Sequence, residues 1–100
     1  MFNIIQVKIN YDEILYIEAM RDYVRIHLQD QKPVITHISM KAIEEKINSG
    51  QFVRVHKSYI INIPQISSIK RGVLMVGTLE VPYSENYKEQ LHKKLGIIPE

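Results

Sequence analysis

Cysteine and tryptophan are absent from the 100 residues. Without cysteine there is no disulfide framework, no thiolate zinc site and no cysteine nucleophile, and the composition fits a reducing compartment. Glycine and proline number 4 each, which excludes collagen-like or low-complexity linker segments. No apolar run exceeds four residues, too short to span a bilayer. The start, Met1-Phe2-Asn3-Ile4-Ile5-Gln6, lacks the charged head and long apolar stretch of a secretory signal. These absences point to a cytoplasmic protein with no membrane partner.

Catalytic and metal-binding patterns are missing as well. The histidines His27, His37, His56 and His92 show no H-x-x-x-H spacing and no accompanying carboxylate cluster, so no metal is expected. No glycine-rich loop could cradle a nucleotide. Ser58 follows His56 by two residues, but no G-x-S-x-G elbow surrounds it. Asp12-Glu13 and Glu44-Glu45 are adjacent acids and read as solvated surface. Neither an enzyme nor a cofactor-dependent protein is expected.

What is present suffices for one domain, expected over residues 4–98. A hydrophobic fraction of 45% can fill a single core, and 24% charged residues is far from the balance of a disordered chain. The net charge of +2 is small, but its distribution is uneven. Residues 46–79 contain Lys46, Arg54, Lys57, Lys70 and Arg71 and no acid, hence +5. The remainder holds 8 of the 13 cations and all 11 acids, hence −3. Such segregation suits a face for a polyanion.

Period-two alternation, the strand signal, dominates the chain. Leu15, Ile17 and Ala19 alternate with Tyr16 and Glu18, and Val24, Ile26 and Leu28 with Tyr23, Arg25, His27 and Gln29. The second run predicts an antiparallel strand with one wet face. Met20-Arg21-Asp22 links the two. Further strands are expected at Ile4 to Ile9, Pro33 to His37, Phe52 to Val55, Tyr59 to Ile61, Ile66 to Lys70, Val73 to Val76 and Leu79 to Pro82. Arg71-Gly72 and Gly77-Thr78 read as tight turns between them.

Two segments read as helices. Ser39 can cap the first, where Met40, Ile43, Glu44 and Ile47 recur at helical spacing before Asn48-Ser49-Gly50. Ser84 can cap the second, with Tyr87, Leu91 and Leu95 on one stripe and Gly96 at its end. The expected fold is mainly β: eight to ten short antiparallel strands with two short helices. The first helix carries Lys41, Glu44, Glu45 and Lys46, an even mix unlike a helix lying in a major groove.

Phe52-Val53-Arg54-Val55-His56-Lys57-Ser58-Tyr59-Ile60-Ile61-Asn62 combines cations and hydrogen-bond donors with apolar anchors, as a phosphate-contacting segment on a stiff scaffold does. This block resembles the LytTR DNA-binding domain. So do Glu13-Ile14-Leu15-Tyr16-Ile17-Glu18-Ala19 followed by Tyr23-Val24-Arg25-Ile26-His27-Leu28, and Val81-Pro82-Tyr83-Ser84 before the last helix. The three blocks stand in the family's order and cover roughly residues 4–96.

The resemblance implies a mostly β fold that grips double-stranded DNA with loops. It also implies the output domain of a bacterial two-component response regulator, behind a phosphorylated receiver domain served by a sensor histidine kinase. Binding to promoter direct repeats, with a dimer on the DNA, is implied too. The chain contains no receiver domain and reads either as an excised C-terminal fragment or as a stand-alone binder.

Carried over residue by residue, the first DNA-binding site is Met20, Arg21, Asp22 and Tyr23. Arg21 is the expected base or phosphate contact, and Asp22 either touches DNA or orients Arg21. The second site is His56, Lys57 and Ser58, with Lys57 reaching the backbone or the intervening minor groove. Arg54 either joins it or is bonded within the sheet. The third site is Ser84, Asn86 and Tyr87, where Glu85 replaces the basic residue common in the family. Asn86 either reads an adenine edge or supports the first helical turn. Ser39 and Lys41 are expected to hold a phosphate at a helix start. About five neutralised phosphates give a salt slope of roughly −4 to −5 in log affinity. The alternative reading is a small β interaction module for a protein or anionic surface, with no preference between DNA sequences.

Overall fold

A computed structural model describes residues 8–47 and 50–96. Eight strands form two antiparallel sheets: β1 (Ile14–Ala19), β2 (Val24–Leu28), β3 (Val34–Thr36), β4 (Phe52–His56), β5 (Tyr59–Asn62), β6 (Ser68–Lys70), β7 (Val73–Val76) and β8 (Leu79–Pro82). Helix α1 (Met40–Lys46) lies between β3 and β4, and α2 (Glu85–Leu95) follows β8. The first sheet has the order β3-β2-β1-β5-β4 and the second β6-β7-β8. The expected class, mainly β with two helices, is the observed one. Of the strand expected at Ile4 to Ile9, residues 4–7 lie outside the described residues, and Lys8 and Ile9 carry no regular structure.

The larger sheet buries both faces. On one, Ile14, Ile17, Val24, Ile26, Leu28, Phe52 and Ile60 pack with Met40, Ile43 and Ile47 from α1 and its C-cap. On the other, Val53, Val55 and Ile61 pack with Leu74, Val76 and Val81 of the smaller sheet and with Leu91 of α2. Clean alternation holds in β2, whose Val24, Ile26 and Leu28 are buried while Arg25 and His27 are half-buried.

In β1 the expected alternation of Leu15, Ile17 and Ala19 fails. The ladder runs Ile14↔Leu28 and then Tyr16↔His27, so Leu15 is an extra residue, a β-bulge. Ile14 and Ile17 therefore share the α1 face, while Leu15 and Tyr16 both pack toward the second core. A second bulge falls at Val55, between Arg54↔Ile60 and His56↔Tyr59. Plain alternation would put Arg54 and His56 on one face; the bulge separates them.

Ser39 caps α1, its Oγ accepting from the Ala42 N–H at 3.0 Å. The helix ends at Lys46, with Ile47 as C-cap; residues 48 and 49 lie outside the described residues. At α2 the expected side-chain cap is not made. Ser84 occupies the N-cap position without a side-chain cap bond. Its backbone anchors the helix instead, the Ser84 N–H donating to the Val55 carbonyl at 3.0 Å and its carbonyl accepting from the Tyr87 N–H at 3.0 Å. Gly96, at φ 68°, closes α2 in the left-handed conformation that glycine adopts without strain.

Candidate nucleic-acid interface

Antiparallel pairing places alternate connections at opposite ends of a sheet. Ala19↔Val24, Val24↔Thr36 and His56↔Tyr59 bring three connections of the larger sheet to one end: residues 20–23, 37–39 and 57–58. The smaller sheet adds the β6–β7 turn and the β8–α2 junction to the same end, through Lys70↔Val73 and Val73↔Pro82. Backbone hydrogen bonds join four of these five connections, and a ring contact reaches the fifth. The Ala19 N–H donates to the Ser58 carbonyl at 2.8 Å, the Ser84 N–H to Val55, and the Tyr83 N–H to the Gly72 carbonyl at 3.2 Å. The rings of Tyr23 and His37 meet edge-on at 5.9 Å. Segments scattered over more than sixty residues thus form one surface.

The first segment is a tight hairpin closed by the Met20 N–H donating to the Tyr23 carbonyl at 2.8 Å. Arg21 and Asp22 project at its tip, both exposed, and no ion pair joins them. A cavity of about 350 Å³ separates this hairpin from the start of α1, lined by Met20 to Val24 and by His37 to Met40. Ser39, which lines it, and Lys41, in the first turn of α1, are both exposed. Ser39 Oγ accepts one hydrogen bond in the cap, which leaves its O–H available to donate.

In the β4–β5 turn the four candidates have different surroundings. Lys57 is exposed, and no carboxylate among the described residues pairs with it. The Ser58 N–H donates to His56 Nδ1 at 3.1 Å. Because that nitrogen accepts, the neutral ring carries its proton on Nε2, which is the donor it can offer outward. Arg54 is directed inward. Its Nη2 donates to the Lys57 carbonyl at 2.7 Å, Nε to the His56 carbonyl at 3.4 Å and Nη1 to Glu44 Oε1 at 3.2 Å. Its guanidinium also lies 5.8 Å from the centroid of the Tyr87 ring. One side chain thereby joins α1, the turn and α2. The fork of guanidinium donors makes this possible, and a lysine could not supply it. The sequence left open whether Arg54 faces phosphate or the sheet; this geometry directs its donors to protein acceptors.

At the third segment Ser84 is half-buried, and Asn86 is exposed on the first turn of α2. Glu85 turns toward Lys88, 3.9 Å away. Beside them lies a pair that sequence reasoning placed in the basic stretch but not in the site: Lys70 and Arg71, exposed on the β6–β7 turn. The signal that could have found them is the acid-free run itself, together with the turn glycine Gly72.

Charge is polarised along the molecule. Arg21, Lys41, Lys57, Lys70 and Arg71 stand at the end just described, none ion-paired among the described residues, against the acids Asp22 and Glu85 there. Asp12, Glu13, Asp30 and Glu80 stand at the other, where Asp12 and Glu13 accept from Gln51 and Gln31. A further polar cluster lies on the larger sheet: Glu18 accepts at 3.0 Å from His27 and stands 3.7 Å from Arg25. The Tyr16 ring stacks on His27 at 4.2 Å. Burial, and then the Glu18 charge, push both the Tyr16 and Tyr59 phenols above their ordinary value. No group of three or more His, Asp or Glu could hold a metal among the described residues. No described helix is long and apolar enough to cross a membrane.

An antiparallel scaffold thus gathers five connections and, among the described residues, five cations without an ion-pair partner at one end. The chain belongs to the LytTr DNA-binding domain family, whose model matches residues 5–96. It is 29% identical over 97 residues to the sensory transduction protein LytT of Bacillus anthracis, covering 91% of this chain and 39% of that protein. It is 33% identical over 86 residues to an uncharacterized response regulatory protein of Vibrio vulnificus, covering 79% and 34%. The chain thus spans well under half the length of these relatives. Its fold matches the LytTr DNA-binding domain of a methyl-accepting/DNA response regulator from Bacillus cereus. That match has a TM-score of 0.80 at 22% identity, covering 90% of this chain and 87% of the other.

Proposed function

We propose that this domain, spanning residues 4–98, binds double-stranded DNA in a sequence-specific manner through the loops at its basic end. In this reading it is the cytoplasmic output domain of a bacterial response regulator. The observation that carries the reading is the convergence of Arg21, Lys41 and Lys57 with the start of α2 on one surface. Helix α1 is only seven residues long and buries Met40 and Ile43. Arg21, at the hairpin tip, reads a base edge in a major groove, where a guanidinium can bridge guanine O6 and N7. Lys57, His56 Nε2–H and the hydroxyls of Ser58 and Ser39 bind phosphates, and Asn86 extends the contact at α2. Arg54 positions the turn from behind.

A domain with so few cations binds weakly alone, so two protomers on a direct repeat give useful affinity by effective concentration. Phosphorylation of an upstream receiver domain by a sensor kinase would raise that concentration. The test is selection of bound duplexes from a random pool, followed by titration of the selected duplex with the parent and with Lys57→Glu. Loss of binding in a variant that still folds is expected. Equal binding by both at physiological salt would refute the reading.

A further inference from the structure

We propose that Lys70 and Arg71 on the β6–β7 turn form a further phosphate-binding site, which carries the DNA contact from the larger sheet onto the smaller one. This inference rests on the DNA-binding reading above and extends its surface.

The turn is both exposed and anchored. Gly72, at φ 75°, provides the tight reversal, with Arg71 beside it in the turn and Lys70 at the end of β6, paired with Val73. Tyr83 holds the turn from two sides: its hydroxyl donates to the Lys70 carbonyl at 3.3 Å and its N–H to the Gly72 carbonyl at 3.2 Å. The next residue, Ser84, bonds to Val55, two positions before Lys57. The cations of the two turns are therefore linked through ordered backbone and not through mobile loops. Neither Lys70 nor Arg71 has a carboxylate within ion-pairing distance among the described residues. Glu85, the acid of the adjoining helix start, is paired along its own helix with Lys88.

Two free cations pinned beside a polyanion site, with no internal partner, are disposed to meet the sugar–phosphate backbone. Phosphate and not base recognition is assigned. The pair sits on the smaller sheet, apart from the Arg21 hairpin and Lys57 on the larger one, and phosphate contacts fix position without reading sequence. The contact is therefore independent of sequence.

The test compares four proteins, the parent, Lys57→Gln, Lys70→Gln/Arg71→Gln and Lys32→Gln, on a selected and on a scrambled duplex over a range of salt. Lys32 lies at the opposite end of the molecule and controls for bulk charge. The double variant is expected to make the salt slope shallower by about 1.8. It is also expected to weaken binding to both duplexes by a common factor of roughly 30 at about 0.15 M salt. Its melting temperature and the slope of Lys32→Gln should match the parent. A double variant with the parent's slope, alongside a weakened Lys57→Gln, would overturn this inference and leave the DNA-binding reading standing. Weakening confined to the selected duplex would overturn the phosphate assignment. If the parent does not distinguish the duplexes and Lys57→Gln changes nothing, both readings fall.

Discussion

Arg54 and Lys57 are three residues apart, both cationic, and both in the segment richest in groups suited to phosphate. The structure gives them different roles, and salt dependence can tell them apart. Among the described residues, five cations at the basic end have no ion-pair partner: Arg21, Lys41, Lys57, Lys70 and Arg71. At about 0.9 per phosphate neutralised, log affinity should fall against log salt with a slope of roughly −4.5. Lys57→Gln removes one of the five, so its slope should be roughly −3.6, with about a fivefold loss of affinity at about 0.15 M salt. That loss is about 1 kcal/mol. Arg54→Gln should leave the slope near the parent value, because the guanidinium is committed to Glu44 and to the carbonyls of His56 and Lys57. Its cost appears in stability instead. Two hydrogen bonds to carbonyls and one half-exposed ion pair are lost, together about 2 kcal/mol. For a domain of this size that lowers the melting temperature by roughly 10 °C. The assay is fluorescence anisotropy with a labelled duplex at several salt concentrations, with thermal unfolding followed by circular dichroism. If Arg54→Gln flattened the slope as much as Lys57→Gln and left the melting temperature unchanged, the division of roles would be wrong.

Other outcomes follow from the packing and titration of the same molecule. Ser39→Ala removes the acceptor for the Ala42 N–H and should cost about 1 kcal/mol, seen as a melting temperature lowered by roughly 5 °C. Leu91→Ala, at a fully buried position where α2 meets both sheets, should cost about 2–5 kcal/mol in denaturant unfolding; a cost below about 1 kcal/mol would contradict the docking of that helix. The Tyr16 and Tyr59 phenols are raised above 10.0, so the native state keeps their protons to higher pH than the unfolded chain does. Their stabilisation is complete below pH 10.0 and is lost as pH rises through the native values. Glu18→Gln, which removes the second cause of both shifts but not the burial, should lower both phenol midpoints in an ultraviolet titration; unmoved midpoints would discount the Glu18 charge.

The sequence by itself determined the local and periodic features. Alternation over Val24–Leu28 marked β2 and its buried face, because a half-buried strand writes its burial into every second residue. Ser39 marked the start of α1, and Gly72, Gly77 and Gly96 marked the reversals, all at positive φ. The three family-like blocks marked the family to which the chain belongs. What only the tertiary structure decided depends on partners distant in the chain. The bulges at Leu15 and Val55 arise from the register of neighbouring strands, and they moved Leu15 to the second core and divided Arg54 from His56. Arg54 found its carboxylate on α1, ten residues earlier, and Ser84 found a backbone acceptor in place of the expected side-chain cap. Lys70 and Arg71 joined the basic end because Tyr83 bonds their turn to the β8–α2 junction. A residue's propensity is a local property that its neighbours in sequence record. Its available donors, acceptors and charges are what remain after the fold has brought together groups the chain keeps far apart.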